Sequence, residues 1–361
     1  MNINRVLLIQ EDDPVNTLRN FLSAWWLEAG LDAMIAPVEL PDHTGVLPLV
    51  IDHPNGLADV NPFLPLMSCN AAPIVEDYLH DHPSAHLAAI LRPCELRALI
   101  ELEKKRAGAQ RSRPDASTRK NLVVIGVDCA GTFPSKEYQQ RLENGSRAEL
   151  IREVLAYASQ DSYVPRQARN ACQVCDWPTT VNADFTIGTI GVAPQGILLV
   201  IAHDEEIDER LGLQKMTDGM ATEQQEIYRE ELIGRLARKR AGLREKMMAT
   251  STGPAGDLIS FLGFITNCTL CADCLDACPL YDGELAGMLG ISEARQGPRP
   301  LLSELVGVGR WLASCSGCGM CQEACEHGDS LGHVITTLSH RIRSDLHYTA
   351  GDPRQPLPWS N

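Results

Sequence analysis

Cys268, Cys271, Cys274 and Cys278 stand in the spacing C-x2-C-x2-C-x3-C, and Cys315, Cys318, Cys321 and Cys325 repeat it, each 47 residues after its counterpart. A 4Fe–4S cube needs one thiolate at each of its iron corners. Three thiols two residues apart, on a loop entering a helix, can wrap three corners; the fourth is taken by a cysteine from the other block. The pattern therefore predicts two cubane clusters with crossed ligation. Cys268, Cys271 and Cys274 pair with Cys325, and Cys315, Cys318 and Cys321 pair with Cys278. Pro279 follows Cys278, as the run usually requires, whereas Glu326 stands at the matching place after Cys325. That exchange loosens the loop without removing a ligand. Structural zinc favours two separated C-x2-C pairs, and disulfides need an oxidising compartment. The doubled run fits neither, and two adjacent cubes imply one-electron transfer.

At 361 residues the chain has room for two domains, with three as the alternative. Its net charge of −15 argues against nucleic acid as a partner. No window of 18 residues is apolar enough to span a membrane. Met1 to Gln10 lacks the basic start, long apolar run and small-residue cleavage site of a signal peptide. The expectation is a cytoplasmic, reducing compartment, which also suits oxygen-sensitive clusters.

Alternation of strand and helix signals predicts an α/β N-terminal domain over 1–250 and a helix-rich ferredoxin-type iron–sulfur domain over 251–361. Strands are expected at 5–9, 33–37, 86–91, 122–127, 185–192 and 197–202. Residues 15–29 read as a helix burying Leu18, Phe21, Leu22 and Trp25 and stopped by Gly30. Further helices are expected from Pro73 to about His80, from Arg92-Pro93-Cys94 to about Lys105, over 219–249 and over 302–313. Residues 41–65 and 107–120 read as loops, and Thr252-Gly253-Pro254 as the linker. The basic residues of 219–249 (Arg235, Arg238, Lys239, Arg240, Arg244, Lys246) read as a solvated face, with a docking face for an acidic partner as the alternative.

Of the remaining cysteines, Cys94 and Cys129 each follow a predicted strand, and Cys172 and Cys175 form a C-x2-C pair. Parallel strands collect their ends at one edge, where ligands bind. Four thiols can converge there on a third cluster, but buried free cysteines or a redox dithiol account for the same spacing. No H-x-E or H-E-x-x-H pattern joins His53, His80, His82 and His86. His327 reads as a loop histidine beside Cys325.

The segments RPCELRALIELEKKRAG, VVIGVDCAGTFP, ACQVCDWP and TIGTIG resemble, in order and spacing, the core of the coenzyme F-420 hydrogenase/formate dehydrogenase beta-subunit family. NCTLCADCLDACPL and SCSGCGMCQEAC resemble its formate dehydrogenase branch. The resemblance spans about residues 66–350. It implies that Cys94, Cys129, Cys172 and Cys175 ligate a third 4Fe–4S cluster, beside FAD. It leaves Cys69 over, in a segment that resembles one near the family's flavin; a small buried residue before a helix is the plain alternative. The chain departs from the family before its first helix. Glu11-Asp12-Asp13-Pro14-Val15-Asn16 replaces a Gly-Gly turn, and no glycine occurs from Met1 to Ala29.

The expected function is therefore an iron–sulfur electron-transfer subunit of a multisubunit oxidoreductase, relaying electrons through three 4Fe–4S clusters. Its partner would be the catalytic subunit of a formate dehydrogenase, a hydrogenase or a heterodisulfide-reductase-like complex. The alternative is an FAD-containing subunit that oxidises or reduces coenzyme F-420 or a nicotinamide and passes single electrons on. Only with flavin would the chain hold an active site of its own. No G-x-G-x-x-G fingerprint follows a strand.

Overall fold

The computed structural model describes residues 2–109, 120–157, 167–249, 268–269, 271–281, 302–326 and 328–360. The linker Thr252-Gly253-Pro254, the boundary near 250, most of the polar stretch 107–120 and His327 lie outside them. The strands are β1 (Ile3–Leu8), β2 (Ala33–Glu39), β3 (Val46–Ile51), β4 (Leu87–Leu91), β5 (Leu122–Val127), β6 (Phe185–Gly188), β7 (Ile197–Ala202) and β8 (Gly219–Met220). They form one 8-stranded sheet in the order β3-β2-β4-β5-β6-β7-β1-β8. The helices in this region are α1 (Pro14–Ala29), α2 (Ala72–Asp81), α3 (Pro93–Ala109), α4 (Ser135–Asn144), α5 (Arg147–Tyr157), α6 (Asn170–Gln173), α7 (Glu205–Arg210) and α8 (Glu223–Ala249). The C-terminal region contributes α9 (Asp273–Asp276), α10 (Leu302–Ser314), α11 (Met320–Ala324) and α12 (Gly328–Asp345), and no strand among the described residues. The protein thus joins an α/β region to a helix-rich one.

β2, β4, β5 and β6 run parallel, and β7 runs antiparallel to β6. β1 is antiparallel to β7, so it ends at the same edge as β4, β5 and β6. Side chains alternate across the sheet with period 2. Ala88 and Ile90 share one core with the α1 residues Leu18, Phe21, Leu22 and Trp25, while Leu87, Ala89 and Leu91 share the other with Val75 and Leu99. The run 122–127 is buried throughout, as a central parallel strand requires. Asp13 caps α1 by accepting the N–H groups of Val15 (3.0 Å) and Asn16 (2.9 Å). Gly30 ends the helix in the left-handed region, φ 60°.

Three expectations need correction. The stretch 41–65 is not all loop. It holds β3 and a 3-10 turn over Pro54–Asp59. Pro48 hides this strand, and is tolerated because β3 lies at the sheet edge. The strand expected over 185–192 stops at Gly188. There the Asp128 carboxylate accepts the N–H groups of Thr189 (2.7 Å) and Ile190 (2.9 Å), replacing ladder bonds. The long helix starts at Glu223, since Gly219 and Met220 first pair with β1. Helices α4, α5, α6, α7 and α12 have no counterpart among the helices expected from the sequence.

The C-terminal segment returns to the α/β region. Tyr348 donates to Glu101 on α3 at 2.7 Å, Lys104 contacts both of them at 2.8 Å, and the Gly351 N–H donates to Glu101 at 2.8 Å.

A second buried pair anchors the strand ends. Arg229 on α8 binds Asp128 through both guanidinium nitrogens, at 2.5 and 2.8 Å. Desolvation pushes the Asp128 carboxyl up, but the Arg229 charge and the hydrogen bonds outweigh it and hold the group below the usual carboxylate range. Replacing Arg229 with Met strands a buried carboxylate and should cost about 3–5 kcal/mol in urea unfolding. Adding Asp128→Asn should recover part of that loss; no recovery would mean the two groups are not coupled.

Candidate metal centres

Both cysteine blocks fold by the same local rule. Ala272 and Gly319 occupy corresponding places, each between the second and third cysteine of its block. Both are left-handed, φ 68° and 74°. Each stands at the N-cap of a short helix, α9 or α11, whose first turn carries Cys274 or Cys321. A left-handed residue reverses the chain so that successive thiols face inward, and only glycine adopts it without cost.

The structure brings the first block's thiols to Cys325. Cys274 interacts electrostatically with Cys325, Cys268 and Cys271, and burial together with these neighbours pushes its thiol up to about 11. Cys268 and Cys271 are exposed. The second block meets Cys278, and Cys278, Cys315, Cys318 and Cys321 line one cavity of about 70 Å³. Burial raises Cys278 to about 12, and raises Cys318 and Cys321 as well. The Trp311 indole N–H donates to the Cys278 sulfur at 3.2 Å. The Ser339 hydroxyl, on the same cavity wall, is buried with no hydrogen-bond partner. Helix α9, which carries Cys274, packs against α11, which carries Cys321, so the two groups are neighbours.

The other four cysteines gather at the sheet edge. Cys94 lies in the first turn of α3, whose N-terminus favours negative charge. Glu95 supports this turn by accepting the Arg92 N–H at 2.8 Å. Cys129 follows β5 and donates its N–H to Pro178 at 2.8 Å. Cys172 lies on α6, where its sulfur receives the Thr132 N–H at 3.4 Å. The Cys175 sulfur receives an Arg97 nitrogen at 3.7 Å. Cys129 interacts with Cys172 and Cys175, and burial first, then these neighbours, push its thiol up to about 11. Cys94 interacts with Cys129 and also with Cys318, against which it packs beside Met67 and Met320. Cys69 is partly buried, its thiol pushed up to about 11 by burial and by Glu95. Among the described residues no three His, Cys, Asp or Glu groups are placed to hold a single metal ion. A cubane sets its thiolates further apart than one ion does.

Local pattern in the sequence did not reveal the arginines of this site. Arg92 is buried and donates to the carbonyls of Leu64 and Leu66, both at 2.9 Å. Arg240 is buried and reaches the carbonyls of Cys175 (3.2 Å) and Ala130 (3.3 Å), while its Nε has no partner. Arg343 donates to the Cys315 carbonyl at 2.7 Å. Among the described residues none of Arg92, Arg97, Arg240 and Arg343 reaches a carboxylate at ion-pair distance. Arg169, fully buried, ties Met67 (2.7 Å) to Glu323 (3.2 Å) across the two regions. The solvated face expected over 219–249 is therefore corrected. Arg235, Arg238, Lys239 and Lys246 are exposed, but Arg240 and Arg244 turn inward because α8 lies against the Cys172–Cys175 segment. The available signal was Arg92 and Arg97 flanking Cys94.

At the N-terminal turn, Glu11 and Asp12 are both left-handed, φ 51° and 57°. The turn precedes α1 at the strand-end edge, so the backbone has a shape that favours glycine while carrying two exposed acids. His53 caps the 3-10 turn by accepting the Asn55 N–H. No helix among the described residues is long and apolar enough to cross a membrane.

The family defined by the C terminus of the beta subunit in coenzyme F420 hydrogenase/dehydrogenase matches residues 85–230, and a "4Fe-4S dicluster domain" matches residues 264–329. The chain is 21% identical over 352 residues to the F420-dependent formate dehydrogenase subunit beta of Methanocaldococcus jannaschii, covering 89% of this chain and 87% of that protein. Over 140 residues it is 27% identical to the F420-dependent formate dehydrogenase 1 subunit beta of Methanococcus maripaludis, covering 33% of each. A chain in the solved structure of the F420-reducing [NiFe] hydrogenase complex from Methanosarcina barkeri shares the fold. The TM-score is 0.50 at 13% identity, covering 70% of this chain and 93% of that one. The two family matches fall in succession on the sheet-edge cysteines and on the paired cysteine blocks, and over residues 85–230 the chain is similar to the coenzyme F420 hydrogenase/dehydrogenase beta-subunit family.

Proposed function

We propose that this chain is the electron-transfer beta subunit of a multisubunit oxidoreductase and that it holds three 4Fe–4S clusters in a row. When bound, such clusters take up and give out single electrons. The observation that carries the third site is the set of buried guanidinium groups, none of them in a salt bridge with a carboxylate among the described residues, around Cys94, Cys129, Cys172 and Cys175. A buried unpaired charge costs several kcal/mol. A cubane held by four thiolates is anionic and offsets that cost. Arg92, Arg97 and Arg240 would balance its charge, and the N–H groups of Thr132 and Arg97 would bond its thiolates.

The order of the sites follows from shared neighbours. Cys94 packs against the cluster that holds Cys318, and α11, which carries Cys321, packs against α9, which carries Cys274. The sheet-edge site is thus next to the Cys278/Cys315/Cys318/Cys321 site, which is next to the Cys268/Cys271/Cys274/Cys325 site. The exposed Cys268 and Cys271 put the last of these at the surface, where the partner would meet it. The names of the relatives favour the catalytic subunit of a formate dehydrogenase as that partner. Thirteen free thiols suit a reducing, cytoplasmic compartment.

A second reading adds FAD and exchange with coenzyme F420. It is favoured by the left-handed turn at Glu11 and Asp12, which keeps a backbone shape that glycine would supply. The two carboxylates oppose a flavin pyrophosphate at that place.

Cys94→Ser with Cys129→Ser should lower iron from about twelve to about eight atoms per chain. An unchanged iron content removes the third site. Crossed ligation makes Cys325→Ser and Cys271→Ser disturb the same EPR signal and Cys278→Ser a different one; matching effects of Cys271→Ser and Cys278→Ser would overturn it. Acid-released flavin from anaerobically purified protein decides the second reading. About one per chain supports an active site in this subunit, and none leaves a pure electron relay.

A further inference from the structure

Arg97 lies between two of the proposed sites. It sits one turn after Cys94 on α3 and is 8% exposed. Its Nε donates to the Pro93 carbonyl at 3.3 Å, and its Nη2 approaches the Cys175 sulfur at 3.7 Å. The same Nη2 is the nearest group to Gly317, in the loop between Cys315 and Cys318; a Cβ built there would stand 3.8 Å away. Trp177 stacks against the guanidinium, 5.1 Å from its ring centre.

The stem of Arg97 is pinned from the other side. A Cβ at Gly351 would fall 2.2 Å from Arg97 Cγ, so the C-terminal segment lies flush on the side chain. That segment is held by the bonds of Tyr348 and Gly351 to Glu101. Arg343 approaches from α12, donates to Cys315 at 2.7 Å and interacts with Arg97. Both arginines line the cavity shared by Cys175, Cys278, Cys315, Cys318 and Cys321. Arg97 is buried and Arg343 half-buried, and two like charges held this close repel. The one carboxylate on this wall, Asp176, is paired with Arg244 at 2.8 Å, so Arg97 and Arg343 face the thiols without a salt bridge of their own, and negative charge on the thiols would balance them.

We propose that Arg97 and Arg343 are positioning charges that set the reduction potentials of the two inner sites. Each reduction adds one negative charge, and fixed positive charge in a low-dielectric wall stabilises the reduced form. Arg97 acts mainly on the Cys94/Cys129/Cys172/Cys175 site, through Cys175. Arg343 acts mainly on the Cys278/Cys315/Cys318/Cys321 site, through Cys315. This inference rests on the three-cluster reading.

The test is an EPR-monitored potentiometric titration, with dithionite as reductant, of the anaerobically purified full chain, alongside its iron content. Arg97→Gln should shift the sheet-edge midpoint to more negative potential at unchanged iron, and Arg97→Lys, which keeps the charge, should restore most of it. Arg343→Gln should shift the other inner midpoint instead. Unmoved midpoints at full iron overturn the inference, as does a Lys variant that behaves like Gln. If Arg97→Gln loses iron, Arg97→Lys and Arg343→Gln carry the test: a midpoint that moves as stated supports the inference, and one that does not overturns it. A wild-type chain with only about eight irons ends the three-cluster reading itself, a result distinct from about twelve irons with unmoved midpoints.

Discussion

Guanidinium charge turned inward without a carboxylate salt bridge is the constraint around which the centre of this protein is arranged. Arg92, Arg97, Arg240 and Arg343 spend their donors on backbone carbonyls and thiols. The chain as a whole is acidic, at −15, so this local excess of cations is a property of the interior. Each of these side chains ties segments together: Arg92 holds the loop of Leu64 and Leu66, Arg240 bridges Ala130 and Cys175, and Arg343 joins α12 to the second cysteine block. Guanidinium charge held away from water in this way is costly unless negative charge balances it.

The sheet supplies the platform for that arrangement. Because β4, β5 and β6 run parallel, Cys94, Cys129 and the Thr189 turn emerge at one edge. The Asp128–Arg229 pair pins this edge to α8, and α8 then carries Arg240 and Arg244 to the Cys172–Cys175 segment. One long helix thus connects the anchoring of the strand ends to the charge balance of the thiols. The family matches cover part of the α/β region and the dicluster segment. How they meet is written in Arg169, in the Cys94–Cys318 contact and in the C-terminal segment on α3.

Much of the fold was legible in local pattern. The α1 face, the Gly30 stop, the buried run 122–127 and the helix after Pro93 follow from periodicity, caps and apolar runs, which are properties of a few neighbouring residues. The β3 strand was hidden by Pro48, whose tolerance depends on an edge position that no local window reveals. The early end of β6 was hidden because its cause, Asp128, lies about sixty residues away. The same distance problem concealed Arg240. Among interspersed acids on a helix it looks solvated, and only the packing of α8 shows otherwise.

By itself the sequence determined that this chain carries two four-cysteine blocks in the spacing of a cubane and four more cysteines set at strand ends and in a C-x2-C pair. Spacing along a loop dictates which thiols can share a cube, and that is a short-range matter. Only the tertiary structure decided which thiols are exposed, which arginines lie among them and how the N-terminal turn is shaped. Those depend on contacts between segments far apart in the chain. Charge balance in a buried site is set by everything that packs around it, not by the residues next to the ligands.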